Sequence, residues 1–348
     1  MWTTNRGTAL TVIGENLHAT RVVLLTGKYG RTTPDGRPAV RFTDASGVER
    51  LLPLPGPVLE SQDFANGRVK QIAAAIVLAM DGGPEAEVGI AFLRALATRQ
   101  AAAGADYLDL NVDEVTSDSD GQQAAMRWLV QTIEAVATVP LALDSSSAAV
   151  IAAGLAASRR ARGTPLLNSA SLERLDVLDL AAAQECPVVV SAAGRTQMPT
   201  GADERVTNAL AVVEEARSRG IRVGDIYIDP LVLPIGMDPE VGGHFLAAIA
   251  RLRHVLGPEI RLTGGFSNIS FGLPQRHLLN DVFLALAADA GADSGILDPL
   301  ATDPHRAFAA DRMSPAWKLA ADVLTGHDEY GAAYLAAYRA GALGGAQA

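Results

Sequence analysis

A short strand followed by a helix recurs eight times along this chain, and no other feature constrains the fold as strongly. The segments before the later strands have helical periodicity, as in Val206–Ala216 and Leu278–Leu286. Repeated alternation of this kind predicts parallel strands joined by right-handed crossovers. We therefore expect a (β/α)₈ TIM barrel, with an open doubly wound sheet as the alternative. The candidate strands are Leu10–Glu15, Tyr107–Leu110, Pro140–Leu143, Pro165–Leu167, Pro187–Val190, Asp225–Ile228, Ile260–Thr263 and Gly295–Leu297.

Length and composition fit one large domain. The chain has 348 residues, 49% of them hydrophobic, so residues 1–348 can form a single barrel around a large core. Its formal net charge of −10 and lack of a basic cluster argue against nucleic acid as a partner. The longest apolar stretch, Ile72–Met80, is too short to cross a bilayer, and no signal peptide is recognisable. We expect a cytoplasmic protein without a membrane segment.

Residues 21–60 do not follow the repeat. They contain turn-forming sequences at Thr33–Gly36 and Ala45–Gly47. The runs Ala39–Thr43 and Val48–Leu52 flank the second turn and can pair as a hairpin. We predict an insertion after the first strand that serves either as a lid or docking surface or as a decorative loop.

Short polar side chains stand where the predicted strands end. In a parallel barrel the carboxyl ends of all strands meet at one rim, where barrel enzymes place their active sites. The strand ends are Gly14-Glu15-Asn16, Asp109-Leu110-Asn111, Asp144-Ser145, Asn168-Ser169, Ser191, Asp229-Pro230, Ser267-Asn268 and Asp298-Pro299. Some of these residues can equally begin turns or cap helices. Their recurrence after apolar runs favours a ligand site.

Carboxylates and amides with almost no lysine or arginine disfavour a phosphate-rich ligand. They suit a flat, neutral heterocycle that carries both donors and acceptors, because a buried carboxylate can accept two parallel N–H bonds from an aminopyrimidinone edge. A pterin has such an edge. The residue types alone do not separate a pterin from a purine or a flavin.

Several segments, in the same order, resemble the pterin-binding family, and in particular its methyltetrahydrofolate:corrinoid methyltransferase branch. That branch is related to the folate domain of cobalamin-dependent methionine synthase. The resemblance covers roughly residues 10–20 and 70–300. The matching segments are Gly14-Glu15, Asp106–Asn111, Leu141–Ser145, Leu167–Ser171, Tyr227–Pro234, Gly265–Gly272, Leu279–Ala285 and Asp293–Leu300.

The resemblance implies a role for each matching residue. Asp144, Asn168 and Asp229 would hold the pterin ring, and Asp109 and Asn111 would line the same floor. Glu15 would join the folate-binding set through its Gly-Glu motif. Asn268 would lie near N5 of the folate and stabilise the charge that develops there as the methyl group moves. The other methyl carrier would be a corrinoid (cobalamin) on a separate protein, and the family's members are commonly homodimers.

The first motif departs from the family pattern. The family's Gly-Glu-Arg-x-Asn is Gly14-Glu15-Asn16-Leu17-His18 here, so both the Arg and the Asn are replaced. His18 is interpreted either as a titrating acid near the pterin or as a polar residue of a loop.

Other functions remain open alternatives. Dihydropteroate synthase, of the same superfamily, needs basic groups that would fall near Gly265–Asn268 and Gly295–Asp298, where this chain has none. A folate-binding module without catalysis would use the same pocket, and transfer from the corrinoid to tetrahydrofolate would use the same barrel. The six histidines form no His-x-x-x-His pair and Cys186 is the only cysteine, so we expect no metal site.

Overall fold

The computed structural model describes residues 2–4, 7 and 9–343. Its strands are β1 (Trp2–Thr3), β2 (Ala9–His18), β3 (Val22–Leu24), β4 (Gly30–Thr32), β5 (Pro38–Thr43), β6 (Glu49–Pro53), β7 (Arg68–Lys70), β8 (Tyr107–Asn111), β9 (Leu141–Asp144), β10 (Leu166–Ala170), β11 (Val188–Ser191), β12 (Ile226–Asp229), β13 (Arg261–Leu262) and β14 (Ser294–Leu297).

Helices occupy the segments between the strands. The α-helices are α1 (Gly56–Leu59), α2 (Gln62–Ala65), α3 (Gln71–Met80), α4 (Ala86–Ala102), α5 (Ser119–Glu134), α6 (Ala148–Ala157), α7 (Asp176–Gln184), α8 (Ala202–Ser218), α9 (Val241–Leu256), α10 (Arg276–Ala290), α11 (Pro304–Ala309), α12 (Pro315–Leu324) and α13 (Ala332–Arg339). Short 3₁₀ helices span Val223–Asp225, Phe266–Asn268 and Glu329–Gly331.

Eight of the strands, β2 and β8 to β14, form the predicted barrel. The sheet runs in the order β1-β2-β8-β9-β10-β11-β12-β13, and β14 pairs with β2. A parallel bridge from Gly265 to Ile296 follows the end of β13. Pairing of the last strand with the first long strand excludes the open doubly wound sheet. The (β/α)₈ fold is confirmed.

The predicted strand positions agree with the observed ones to within a few residues. The largest differences are at β2 and β10, which each continue three residues beyond the predicted end, β2 from Glu15 to His18 and β10 from Leu167 to Ala170. The burial pattern of β2 explains its extension, because buried Asn16 and Leu17 follow Glu15 without a break. The helical periodicities also correspond to real helices, α8 and α10.

The insertion contains the predicted hairpin. Strand β5 pairs antiparallel with β6, from Ala39 opposite Pro53 to Thr43 opposite Glu49, and β4 adds a third strand. Phe42 of β5 packs edge-to-face on Phe92 of α4, with ring centroids 5.1 Å apart. Hydrophobic packing thus attaches this small sheet to the helix that precedes β8.

By contact density the chain divides into two compact units, Gly14–Asn168 and the remainder (Met1–Ile13 with Ser169–Ala348). The first buries Leu108, Leu110 and Leu143 completely. The second is built around three phenylalanines, Phe245, Phe266 and Phe283, whose ring centroids lie 5.5–6.0 Å apart.

The apolar stretch Ile72–Met80 belongs to helix α3, most of whose residues are buried in the protein. Within residues 2–4, 7 and 9–343, no helix has both the length and the apolar character needed to cross a membrane. Cys186 is buried at the end of the loop before β11.

Candidate functional site

Three residues predicted to bind the pterin form one row across neighbouring strands of the unit Gly14–Asn168. In the parallel register, Asn111 of β8 lies opposite Asp144 of β9, and Asp144 lies opposite Asn168 of β10. Side chains alternate between the two faces of a strand, so the row shares one face, together with Asp109, two residues before Asn111. The strand register therefore brings these four predicted residues together.

Hydrogen bonds fix the orientation of Asn111 within this row. Its amide Nδ2 donates to Asp144 Oδ2 over 3.0 Å, and its Oδ1 accepts the backbone N–H of Asp113, also over 3.0 Å. Asp113 in turn accepts Ser145 Oγ at 2.6 Å and the Ser146 N–H at 2.9 Å. The loops after β8 and β9 are thus tied together, so that Asp144 stands on a rigid support.

Asp109 is the most deeply buried carboxyl group of the cluster, with 1% of its surface exposed. Among the described residues its Oδ1 has no hydrogen-bond partner. Burial raises the pKa of Asp109 well above its ordinary value and the charge of Asp144 raises it further, whereas His18 and a hydrogen bond from Asn168 lower it. This carboxyl group therefore favours its protonated form and can donate a hydrogen bond.

His18 is the last residue of strand β2, so the interpretation as a loop residue was wrong. Its Nε2 lies 2.8 Å from Asp144 Oδ2, and its Nδ1 lies 2.7 Å from Thr20 Oγ1. Burial lowers the pKa of His18, but the hydrogen bond to Asp144 and the charges of Asp144, Asp109 and Glu15 outweigh it, and the net shift is upward. His18 is thus a titratable group within the cluster.

Glu15, also on β2, has a different partner. Its Oε1 accepts a hydrogen bond from Arg21 Nη1 over 2.8 Å. The predicted acid therefore has a local counter-charge, supplied by an arginine that sequence reasoning missed. Arg21 lies six residues after Glu15, just beyond the end of β2, and this short spacing was the signal in the sequence that could have identified the pair.

Gly14 allows the backbone of β2 to approach Gln100 of helix α4 closely. Gln100 is fully buried, and its Oε1 accepts the Asn16 N–H at 2.9 Å. A Cβ at Gly14 would lie 2.6 Å from that oxygen. The Gly-Glu motif therefore has a packing role, which the sequence did not reveal.

In the other unit, Asp229 ends strand β12 as predicted. Its Oδ1 accepts the N–H of Leu231 at 2.7 Å, and Leu231 adopts a left-handed backbone conformation with φ of 70°. Protein atoms surround the carboxyl group, although part of the residue stays accessible. Burial raises the pKa of Asp229 to about 6, while the Leu231 hydrogen bond and the charge of Arg205 partly oppose the shift.

Arg205 of helix α8 is fully buried, which sequence reasoning missed. Its Nη1 donates to the carbonyl of Gly201 at 3.1 Å, and Nε and Nη2 have no hydrogen-bond partner among the described residues. Burial lowers the pKa of Arg205, and the charges of Asp238 and Asp229 raise it. This guanidinium is a buried source of positive charge close enough to act on Asp229.

Asn268, the predicted catalytic residue, lies in the 3₁₀ helix Phe266–Asn268 after β13 and is partly exposed. Its side-chain Nδ2 lies close over Gly265, 2.8 Å from the position that a Cβ there would occupy. Only glycine at position 265 leaves room for this placement of the amide.

The cluster of His18, Asp109 and Asp144 also has the residue types of a metal centre. One ligand atom each of His18, Asp109 and Asp144 lies within 4.8 Å of the others, a spacing that could accommodate a cation. However, Asp144 Oδ2 already accepts one hydrogen bond from Asn111 and pairs with His18, and these contacts satisfy that oxygen. The donor set fits a hydrogen-bonding ligand with alternating N–H groups and oxygens.

Sequence comparisons place this geometry in context. Residues 90–298 match the family model described as "Pterin binding enzyme". A methylcorrinoid:tetrahydrofolate methyltransferase of Eubacterium limosum is 30% identical over 266 residues, which cover 74% of this chain and 91% of the relative. A methionine synthase of Mycobacterium tuberculosis is 32% identical over 219 residues, which cover 58% of this chain and only 18% of that protein.

Among solved structures, a dihydropteroate synthase from Xanthomonas albilineans in complex with 7,8-dihydropteroate superimposes with a TM-score of 0.52. The two proteins are 22% identical, and the match covers 63% of this chain and 83% of the synthase. At this level of identity the likeness supports the fold alone.

Proposed function

This chain belongs to the family of pterin-binding enzymes, and on that basis we propose that it transfers a methyl group between N5 of a tetrahydrofolate and a corrinoid carried by a separate protein. The E. limosum relative, aligned over 91% of its length, is named for this reaction. Because the corrinoid is carried by the other protein, this chain binds the folate and controls the charge at N5.

The observation that carries the proposal is the row Asn111–Asp144–Asn168 above buried Asp109. Asp144 uses Oδ2 for Asn111 and His18, which leaves Oδ1 to accept from the N–H donors on the pyrimidine edge of a pterin. A protonated Asp109 and the Asn168 amide supply donors and acceptors for the rest of the ring. Charge-assisted bonds to a preorganised carboxylate give such a site affinity and orientation.

Asp229 and Asn268 are assigned to the same folate by the resemblance of their motifs, and Glu15 completes the proposed set. Transfer to the corrinoid breaks the bond between N5 and the methyl carbon and leaves N5 with the electron pair and a proton from solution; transfer to the folate releases that proton. The Asn268 amide would stabilise the charge at N5 by hydrogen bonding in either direction.

Dihydropteroate synthase is the less supported alternative. That reaction handles a pyrophosphate and an aromatic carboxylate, which favours arginine or lysine in the site. The segments Gly265–Asn268 and Gly295–Asp298 contain neither. The likeness to a synthase structure reflects the shared barrel.

Membership of this family also leads to proposals about domain organisation, cellular location, oligomeric state and partner. We propose that residues 1–348 form one functional domain with 21–60 as its insertion, and that the protein acts in the cytoplasm as a homodimer. Its macromolecular partner is the corrinoid protein, and the net charge of −10 disfavours nucleic acid.

The assay follows the corrin absorption spectrum in both directions. One reaction contains tetrahydrofolate and methylcobalamin; the other contains methyltetrahydrofolate and chemically reduced cob(I)alamin. We expect protein-dependent conversion in at least one direction, together with loss of most activity in Asn268→Ala, about ten- to a thousand-fold. The exposed-site variant Asp203→Asn should retain wild-type activity, because that side chain is 88% exposed.

The outcomes separate the alternatives. Folate binding without methyl transfer, to free corrinoids and to several corrinoid proteins, would indicate a non-catalytic module. Condensation of a pterin pyrophosphate with p-aminobenzoate would indicate the synthase. Loss of affinity equal to the loss of turnover in Asn268→Ala would make Asn268 a ring contact only.

A further inference from the structure

A chain of hydrogen bonds leads from the protein surface to the carboxylate that we assign to the pterin. It runs from Thr20 Oγ1 to His18 Nδ1 over 2.7 Å and from His18 Nε2 to Asp144 Oδ2 over 2.8 Å. The side chains of His18 and Asp144 are 24% and 20% exposed. Protons can therefore exchange between these hydrogen-bonded side chains and solvent.

Both charge states of His18 keep the bonds to Asp144 and to the Thr20 hydroxyl, although protonation of Nδ1 gives up the long 3.4 Å hydrogen bond that it accepts from the Thr20 N–H. Neutral His18 donates from Nε2 to Asp144 and accepts the Thr20 hydroxyl at Nδ1. Protonated His18 donates from both nitrogens, because a hydroxyl group can reverse its role and accept. The imidazole can thus gain or lose a proton while Asp144 stays in place.

The charges around His18 are mostly negative. Asp144 faces His18 from β9, and Asp109 faces it from β8. Glu15 lies on β2, as His18 does, and forms an ion pair with Arg21. When a neutral ring covers these groups, the carboxylates lose water, and an ionised carboxylate is costly to bury without a counter-charge. His18 supplies that counter-charge in its protonated form.

We propose that His18 is a positioning residue whose proton keeps Asp144 ionised under the bound ring, so that folate binding is coupled to protonation of His18. This inference rests on the proposed function. His18 replaces the Asn of the family motif at the same place, and Asn can hydrogen-bond Asp144 but cannot carry a charge. The structure thus indicates that folate binding by this chain is sensitive to pH.

The sign of the effect follows from the charge state. The pKa of His18 in the folded protein is raised above its ordinary value of 6.5. Below that raised pKa the counter-charge is present, and above it the proton is lost. Affinity for folate should fall as pH rises through the raised pKa, approaching about tenfold per pH unit.

The test measures the dissociation constant of tetrahydrofolate by anaerobic calorimetry between pH 5 and pH 9, in parallel series with and without EDTA. We expect the affinity of wild type for tetrahydrofolate to fall as pH rises through the raised pKa of His18. The affinity of His18→Asn should stay constant over the same pH range, so that the alkaline limb of its pH profile is flat. His254→Asn, at an exposed histidine, is the matched control and should follow wild type.

Three outcomes are informative. An alkaline limb that persists unchanged in His18→Asn would overturn the inference and leave the proposed function intact. Failure of wild type to bind at any pH would overturn the proposed function and the inference with it. A limb that appears only without EDTA, with a divalent metal found in the protein, would overturn the inference in favour of a metal centre.

Discussion

At the scale of single residues, burial changes the protonation of two carboxyl groups that we propose to bind folate. Asp109 and Asp229 both have raised pKa values because burial disfavours their charged forms. Asp109 is completely enclosed, whereas Asp229 remains partly accessible and titrates at about 6. Asp109 is therefore suited to donate a hydrogen bond at neutral pH, and Asp229 to accept one.

The titration of Asp229 should limit folate binding in acid. A group with a raised pKa is protonated as pH falls through that value, here about 6, and a protonated carboxyl no longer accepts two N–H bonds. Affinity should therefore decrease about tenfold per pH unit below 6. Calorimetry on Asp229→Asn should give weaker binding without this acidic slope; an acidic slope that persists in the variant would assign the titration to another group.

The position of Asn268 should depend on Gly265. In Gly265→Ala the new Cβ would lie 2.8 Å from Asn268 Nδ2, and the amide is free to swing away. We expect turnover to fall about tenfold or more with thermal stability nearly unchanged, since only the end of a side chain must move. Stopped-flow turnover and a melting curve test this together. Equal losses of activity and stability would contradict it.

At the scale of elements, strand register explains why the sequence could predict which of the candidate site residues are neighbours. Residues at the carboxyl ends of adjacent parallel strands become neighbours, and Asn111, Asp144 and Asn168 do so in the structure. The pairing of His18 with Asp144 spans 126 residues and depends on β2 continuing past Glu15. Local sequence patterns do not reveal that length.

Packing between the insertion and helix α4 should contribute to stability. Phe42 is 8% exposed and Phe92 is 3% exposed, so Phe42→Ala removes a buried ring from the contact. We expect the free energy of unfolding to fall by about 3 kcal/mol. Urea denaturation measures this, with Phe271→Ala, at a ring 48% exposed, as the control. A change no larger than that of the control would show that the sheet is loosely attached.

At the end of helix α7 a substitution should increase the stability of the protein. Glu185 caps this helix with φ of 51°, a left-handed conformation that is strained for a residue with a Cβ. Glu185 is exposed, so Glu185→Gly should raise the free energy of unfolding by about 1 kcal/mol. Denaturation at pH 7 tests this, and a decrease in stability would mean that the glutamate side chain has a role of its own.

At the scale of the whole molecule, alternating strands and helices predict the barrel, and polar strand ends predict where a ligand binds. The buried Arg205 was unpredictable, because an arginine on an amphipathic helix normally faces water. Its burial depends on the tertiary structure around the start of α8. The same holds for Gln100, whose partner at Asn16 lies 84 residues away.

The central claim is that strand-end acids of this barrel bind the edge of a folate. Calorimetric titration of methyltetrahydrofolate into wild type, Asp144→Ala, Asp229→Ala and the surface control Asp203→Asn tests it most directly. We predict binding to wild type and to the control, and none to either site variant while all four proteins melt as folded domains. Full affinity in both Asp144→Ala and Asp229→Ala would contradict the claim.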